Sequence, residues 1–230
     1  MRPLVLTLLF ALLVPACAGA GEVFTYTPIK HATFVLQAGP TTVYVDPVGA
    51  AADFAAFPPP DLILITHIHN DHLAPELVAS VRAAQTSIIG APTVIEQLGY
   101  GTSLRNGESA KVADLVIEAI PAYNTTAERL SFHPKGRDNG YLLSRDGRRL
   151  YISGDTEDIP EMRALRDIDI AFLCMNLPFT MTVAQAADAV NAFRPGKVIP
   201  YHYRGKDGMS DLDAFEKQVA GIKVERLKWY

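Results

Sequence analysis

The chain predicts an α+β fold of two packed sheets with helices outside, and three observations carry that expectation. Short β-rich runs bounded by turn residues recur from Val23 to Pro200. Helical stripes stand between blocks of these strands, which suits two sheets with outer helices. The composition is 49% apolar, and roughly two hundred residues at that content can bury one core, so one domain is expected.

Residues 1–20 read as a separate segment. Met1 and Arg2 supply a positive start, Leu4 to Val14 is apolar apart from Thr7, and Ala18-Gly19-Ala20 makes a small-residue cleavage site. This layout is that of a secretory signal, too short for stable membrane insertion, and it places the mature domain, residues 21–230, in the periplasm or outside the cell. Attachment through Cys17 as a lipoprotein is the lesser alternative, since Pro15 sits awkwardly for that processing. Cleavage after Ala20 would leave Cys174 as the sole cysteine, so no internal disulfide is expected.

Val23 to Tyr26, Ala32 to Leu36 and Thr42 to Val45 read as strands, the last two joined around Gly39-Pro40. Pro58-Pro59-Pro60 is a stiff connection into Leu62–Ile65, an apolar run without polar alternation that reads as a strand buried on both faces. A helix begins at Pro75 and continues through Leu77, Val78, Val81 and Ala84. A short helix at Pro92 to Leu98 and a strand at Leu115 to Ile120 follow. Arg145-Asp146-Gly147-Arg148 is a hairpin turn between Tyr141–Ser144 and Arg149–Ile152. Thr182 and Gln185 form a capping box before the stripe Val183, Ala186, Val190 and Phe193. Lys197 to Pro200 is a further strand, and Ser210 with Asp213 caps a last helix carrying Leu212, Phe215 and Val219.

The stretch that speaks to function follows the buried strand. Thr66-His67-Ile68-His69-Asn70-Asp71-His72 places three of the six histidines and an aspartate in one loop. Imidazole and carboxylate are the ligands that zinc, manganese and iron accept. In extended backbone His67, His69 and Asp71 share a face while His72 points away, so one loop can serve two neighbouring ions. A net charge of −4 argues against general affinity for nucleic acid or acidic membranes, and a small-molecule substrate is expected.

This loop resembles the H-x-H-x-D-H signature of the metallo-β-lactamase-fold hydrolases. Ser153-Gly154-Asp155-Thr156 resembles the family's G-D-T segment, and Pro200-Tyr201-His202-Tyr203 the segment with its last histidine. Lys30-His31-Ala32-Thr33-Phe34 and Phe179-Thr180-Met181 resemble the ascorbate-6-phosphate-lactonase-like branch. The resemblance runs from about Val23 to the C-terminal residues and implies a four-layer αββα sandwich. It implies one or two divalent ions, zinc first and manganese or iron as alternatives. One ion would take His67 and His69, the other Asp71, His72 and His202, with Asp155 bridging. The family's third histidine for the first ion is missing from its usual place, which reads Ile120-Pro121-Ala122-Tyr123-Asn124. Asn124 is the expected substitute through its amide oxygen; Tyr123 is less suited, and His133 is near enough in sequence to fold back.

The expected activity is metal-dependent hydrolysis of an ester, lactone or phosphoester bond. Two cations would lower the pKa of a shared water. Asp71 would orient or deprotonate it, and His31 or Asp71 would donate a proton to the leaving oxygen. Asp46 is expected to support the site without ligating. Lys135, Arg137 and Arg204 are candidates to hold an anionic substrate group. The rival reading is an exported metal- or ligand-binding protein of the same fold that has lost catalysis, and the missing histidine is what favours it.

Overall fold

A computed structural model describes residues 22–230, so the segment read as a secretory signal, with Cys17, lies outside the described residues. The first six strands are β1 (Phe24–Lys30), β2 (Thr33–Ala38), β3 (Thr41–Val45), β4 (Leu62–Ile65), β5 (Ser87–Gly90) and β6 (Thr102–Ser103), and they form one sheet in that order. β1 to β3 run antiparallel, and β3 to β6 run parallel. Helices α1 (Pro75–Val81) and α2 (Pro92–Leu98) cover its outer face.

The second sheet uses β7 (Ser109–Val112), β8 (Leu115–Ala122), β9 (Asp138–Arg145), β10 (Arg148–Ile152), β11 (Ile170–Leu173), β12 (Lys197–Pro200) and, across a small hairpin, β15 (Lys223–Val224). Its spatial order is β15-β12-β11-β10-β9-β8-β7. That hairpin is β13 (Arg204–Gly205) with β14 (Gly208–Met209). Helices α3 (Pro160–Arg163), α4 (Val183–Phe193) and α5 (Leu212–Gln218) complete the described elements. The result is an α+β molecule of four layers, helices, sheet, sheet and helices, of the metallo-β-lactamase fold.

Side-chain alternation explains why β4 has no polar face. Leu62 and Leu64 pack into the core between the sheets, while Ile63 and Ile65 pack outward beside Leu77, Val78 and Val94. In β2 and β3 the same alternation sends Phe34, Leu36, Val43 and Val45 inward and Val35 and Tyr44 outward. At the centre, the ring of Phe34 stacks on Phe172 with centroids 4.4 Å apart.

The capping box forms as expected, with the Gln185 N–H donating to Thr182 Oγ1 at 3.1 Å and the Thr182 N–H to Gln185 Oε1 at 2.9 Å. The turn joining β9 to β10 has φ of +48° at Asp146 and +74° at Gly147, as a two-residue hairpin requires. Two expectations are corrected. α1 stops at Val81, because Arg82 is already extended and Ala84 lies beyond it. The cap of α5 is Asp211, which accepts from the Ala214 N–H at 2.9 Å; Ser210 instead donates to the Met175 carbonyl.

The parallel strands β3, β4, β10, β11 and β12 all end at one edge of the sandwich. Asp46, the loop from Thr66, Asp155, Asn176 and His202 therefore emerge side by side there, where open sheets gather their ligands. The turn between β1 and β2 adds His31, and the connection between β8 and β9 adds His133.

Candidate metal centre

Each site residue is held by local chemistry. Asp46, wholly buried, accepts from the Thr66 N–H and hydroxyl at 2.7 Å each and faces His72 Nδ1 at 2.7 Å. It thus orients the loop and one imidazole without standing among the grouped ligand atoms, as expected. Gly154 has φ of +60°, and a Cβ there would meet the Asn139 carbonyl oxygen at 2.7 Å and Thr66 Cβ at 3.3 Å. Only glycine lets the chain turn that closely to deliver Asp155. His31, Asp46 and His202 also have positive φ, +58°, +43° and +45°. Such strain in non-glycine residues persists where surrounding contacts over-determine it, commonly at functional sites.

All six histidines meet at this edge. Three sets each have candidate ligand atoms within 4.8 Å of one another: His67, His69 and His133; His31, Asp71 and His202; and His67, His72 and Asp155. Asp155 joins the sets, its Oδ1 lying 3.5 Å from His72 Nε2 and its Oδ2 3.4 Å from His133 Nε2 and 3.3 Å from His202 Nε2. His202 Nε2 is also 3.5 Å from Asp71 Oδ2.

The third member of the first set is His133, the residue that the sequence offered beside Asn124 as near enough to fold back. The Asn124 NH2 donates to the carbonyls of Arg129, at 2.9 Å, and Phe179, at 2.7 Å, while its Oδ1 is buried without a hydrogen-bond partner. His133 is buried, and its Nδ1 donates to Asp138 Oδ2 at 2.9 Å, leaving Nε2 toward Asp155. His72 has the same arrangement, with Nδ1 on Asp46. A carboxylate behind the distal nitrogen is the usual support of a metal-binding imidazole, because it fixes the tautomer and raises basicity. The pairing His133 with Asp138 was the signal in the sequence that could have singled out His133.

The donor set fits divalent ions by a direct observation. His72 Nε2 and Asp155 Oδ1 are buried, face each other, and lack a hydrogen-bond partner; His202 Nδ1 is likewise unpartnered. Buried polar atoms left unpaired are costly, and a shared cation would satisfy the facing pair.

Electrostatics in the metal-free protein separates the groups. Burial alone would raise the Asp155 carboxyl, but the charges of His202 and His72 and the bonds from His133 and His202 hold it well below the usual carboxylate range. Asp71 behaves likewise, burial being outweighed by His202 and His31. Burial lowers His67, His69 and His31. Burial also opposes charge on His133 and His202, yet Asp138 and Asp155 raise the first, and Asp155 and Asp71 the second, each to about 9.

His31 joins the site from its open side. Its Nε2 lies 3.1 Å from Asp71 Oδ2, its Nδ1 2.8 Å from the Tyr230 hydroxyl, and its ring 3.9 Å from that of His202. Since Asp71 is ionised it can only accept, so Nε2 carries the proton and Nδ1 accepts from Tyr230.

The remaining expected residues divide. Lys135 is tied to Glu161 and to the Tyr123 ring; Arg137 is tied to Asp138 and its Nη2 lies 3.5 Å from His69 Nε2; Arg204 lines a cavity at the site. Met175 and Met181 are core residues, and Tyr201 and Tyr203 are packing groups. Cys174 is fully buried with its thiol pushed up to about 12, hence inert.

Known proteins share this arrangement of chain. Residues 25–202 match the β-lactamase superfamily domain. A UPF0173 metal-dependent hydrolase of Thermococcus onnurineus is 31% identical over 211 residues, which cover 86% of this chain and 92% of the relative. A UPF0173 metal-dependent hydrolase of Thermodesulfovibrio yellowstonii is 28% identical over 255 residues, covering 98% and 94%. The crystal structure of a candidate metal-dependent hydrolase from Parabacteroides distasonis superposes with a TM-score of 0.83 at 46% identity, over 88% of this chain and 92% of that one.

Proposed function

The chain belongs to the β-lactamase superfamily domain family and is a metal-dependent hydrolase, and from that membership we propose a two-ion hydrolase of ester, lactone or phosphoester bonds. In this reading His67, His69 and His133 hold one ion and Asp71, His72 and His202 the other, with Asp155 shared between them. The observation that carries it is the convergence of six histidines on two carboxylates, with His72 Nε2 and Asp155 Oδ1 buried and unpartnered.

Bound divalent ions supply Lewis acidity and make water ionisable near neutral pH. The chain's own residues do the rest. Asp71 orients the incoming water, since its carboxylate lies between His202 and His31 at the open side. His31 holds a proton at Nε2 between Asp71 and the cavity, the place from which a leaving oxygen can be protonated. Asp46 and Asp138 keep two imidazoles turned toward the ions. A nitrogen-rich set with His133 in place of an amide oxygen favours zinc over harder cations.

The reading of a protein without catalysis drew on a missing third histidine, and His133 stands in that place. Export through residues 1–20 belongs to the proposal; the N-terminal residue of the mature protein tests it. Among the described residues no helix is long and apolar enough to cross a membrane.

The test is turnover of a panel of lactones, phosphodiesters, phospholipids and β-lactams by the purified mature protein. Activity lost to a chelator and restored by metal is expected on a lactone or phosphoester. Asp155→Ala should abolish it, and undiminished hydrolysis by that variant would sink the proposal.

A further inference from the structure

A cavity of about 460 Å³ opens beside His31 and Asp71, with Lys30, Asn70, Arg204 and Tyr230 around it. Its size is that of a small-ligand site. Buried Val48 and exposed Gly49 complete an apolar stretch of wall. The cavity meets the site on the side of His31 and Asp71, so a substrate reacting there would extend its far end toward Lys30 and Arg204.

Both cations line the cavity without a carboxylate partner to neutralise them. Arg129, Arg137, Arg148, Arg163, Lys197 and Arg226 each have a carboxylate within 4.0 Å. Among the described residues Lys30 and Arg204 have none, in a chain whose net charge is −4.

Arg204 is also pre-positioned. Its guanidinium carbon lies 4.2 Å from the centroid of the Tyr230 ring, a stacked cation–π arrangement. Tyr230 is itself fixed, since its hydroxyl accepts from the Arg204 N–H at 3.3 Å and donates to His31 Nδ1 at 2.8 Å, and Tyr203 packs edge-on at 5.0 Å. A planar guanidinium held on a ring loses little freedom when it meets a two-oxygen anion.

We propose that this cavity selects substrates carrying an oxyanion, carboxylate or phosphate, distal to the scissile bond, with Arg204 and Lys30 as its receptor. The inference rests on the reading that the reacting end lies at Asp71 and His31. It deepens that reading by naming the substrate class.

The experiment compares two ligands that differ only in the distal anion. Titration calorimetry on the metal-loaded protein would measure butyrate, with one carboxylate, against glutarate, with two. The expected result is glutarate binding about tenfold more tightly, as a charge-assisted contact provides. In the double variant Lys30→Gln, Arg204→Gln, metal content should be unchanged and the preference should shrink to within about twofold. Equal affinity in the unmodified protein would overturn the proposal, as would a preference that survives in the variant. A third arm with 4-phosphonobutyrate identifies the tail: tighter binding than glutarate assigns a phosphate, weaker binding a carboxylate. Binding is read without turnover, so a glutarate preference with no hydrolysis would break the choice of scissile bond while leaving the receptor, and hydrolysis without the preference would do the reverse.

Discussion

His133 and Asp138 carry the largest consequence at the residue scale. Removing the Asp138 charge leaves the imidazole in place but unsupported, so Asp138→Asn should weaken metal binding about 10- to 100-fold. Competition against a chelator measures it, and unchanged affinity would mean that His133 does not ligate. The pH dependence follows from the same groups. Without an ion His133 and His202 are raised to about 9, so below that pH each carries a proton that an incoming ion must displace. Apparent metal affinity should therefore rise with pH up to about 9 and level off above it. The same titration across pH checks this, and affinity that falls with rising pH would contradict it. His67, His69, Asp71 and His72 were legible as a cluster from their spacing, and Asp155 and His202 from the family resemblance of the segments that carry them. His133 was open only as a residue near enough to fold back, because nothing local fixes where its loop folds. The reading at Asn124 looked for a ligand at a strand end, whereas the ligand arrives from the connection beyond it.

That connection is shaped at the scale of elements by Glu157. Its buried carboxylate accepts from the Thr125 and Thr126 N–H groups at 2.6 Å each, both threonine hydroxyls, Arg129 Nη1 at 2.5 Å and Gln185 Nε2 at 3.3 Å. The loop after β8 is thereby tied to the loop after β10 and to the start of α4. Burial would raise this carboxyl, but the threonine and arginine bonds lower it to about 2 from 4.5. Its contribution is present above 4.5 and is lost as pH falls through about 2, the sign for a depressed acid, and is worth about 3 kcal/mol. Glu157→Gln should cost roughly 2–4 kcal/mol at neutral pH and lose the acid dependence of that region. Denaturant unfolding of both proteins between pH 5 and about 2 checks it; parallel curves would show that the carboxylate charge is not what ties these loops. This knot was invisible in sequence, since its partners span positions 125 to 185. Helix starts were more legible, because Thr182 and Gln185 cap locally, whereas Ser210 was mistaken for a cap beside the better acceptor Asp211.

At the scale of the whole molecule, the sandwich follows from strands that are apolar on both faces. β4 reads as doubly buried because one face meets the other sheet and the other meets α1 and α2. Strands such as Leu62–Ile65 announce themselves by composition. β7 and β6 did not, being short edge pieces, β7 half-exposed and β6 exposed, whose existence depends on the neighbour they pair with. Two sheets ending at one edge bring ligands from β4, β10 and β12 together, and the distance along the chain between His31 and His202 becomes irrelevant. The central claim is that this edge holds two ions, the first completed by His133. The measurement is the metal content per chain of the purified protein and of His133→Ala after identical metal loading. Two ions in the native chain and about one in the variant are predicted. One ion or none in the native chain, or an unaltered count in the variant, would contradict the account.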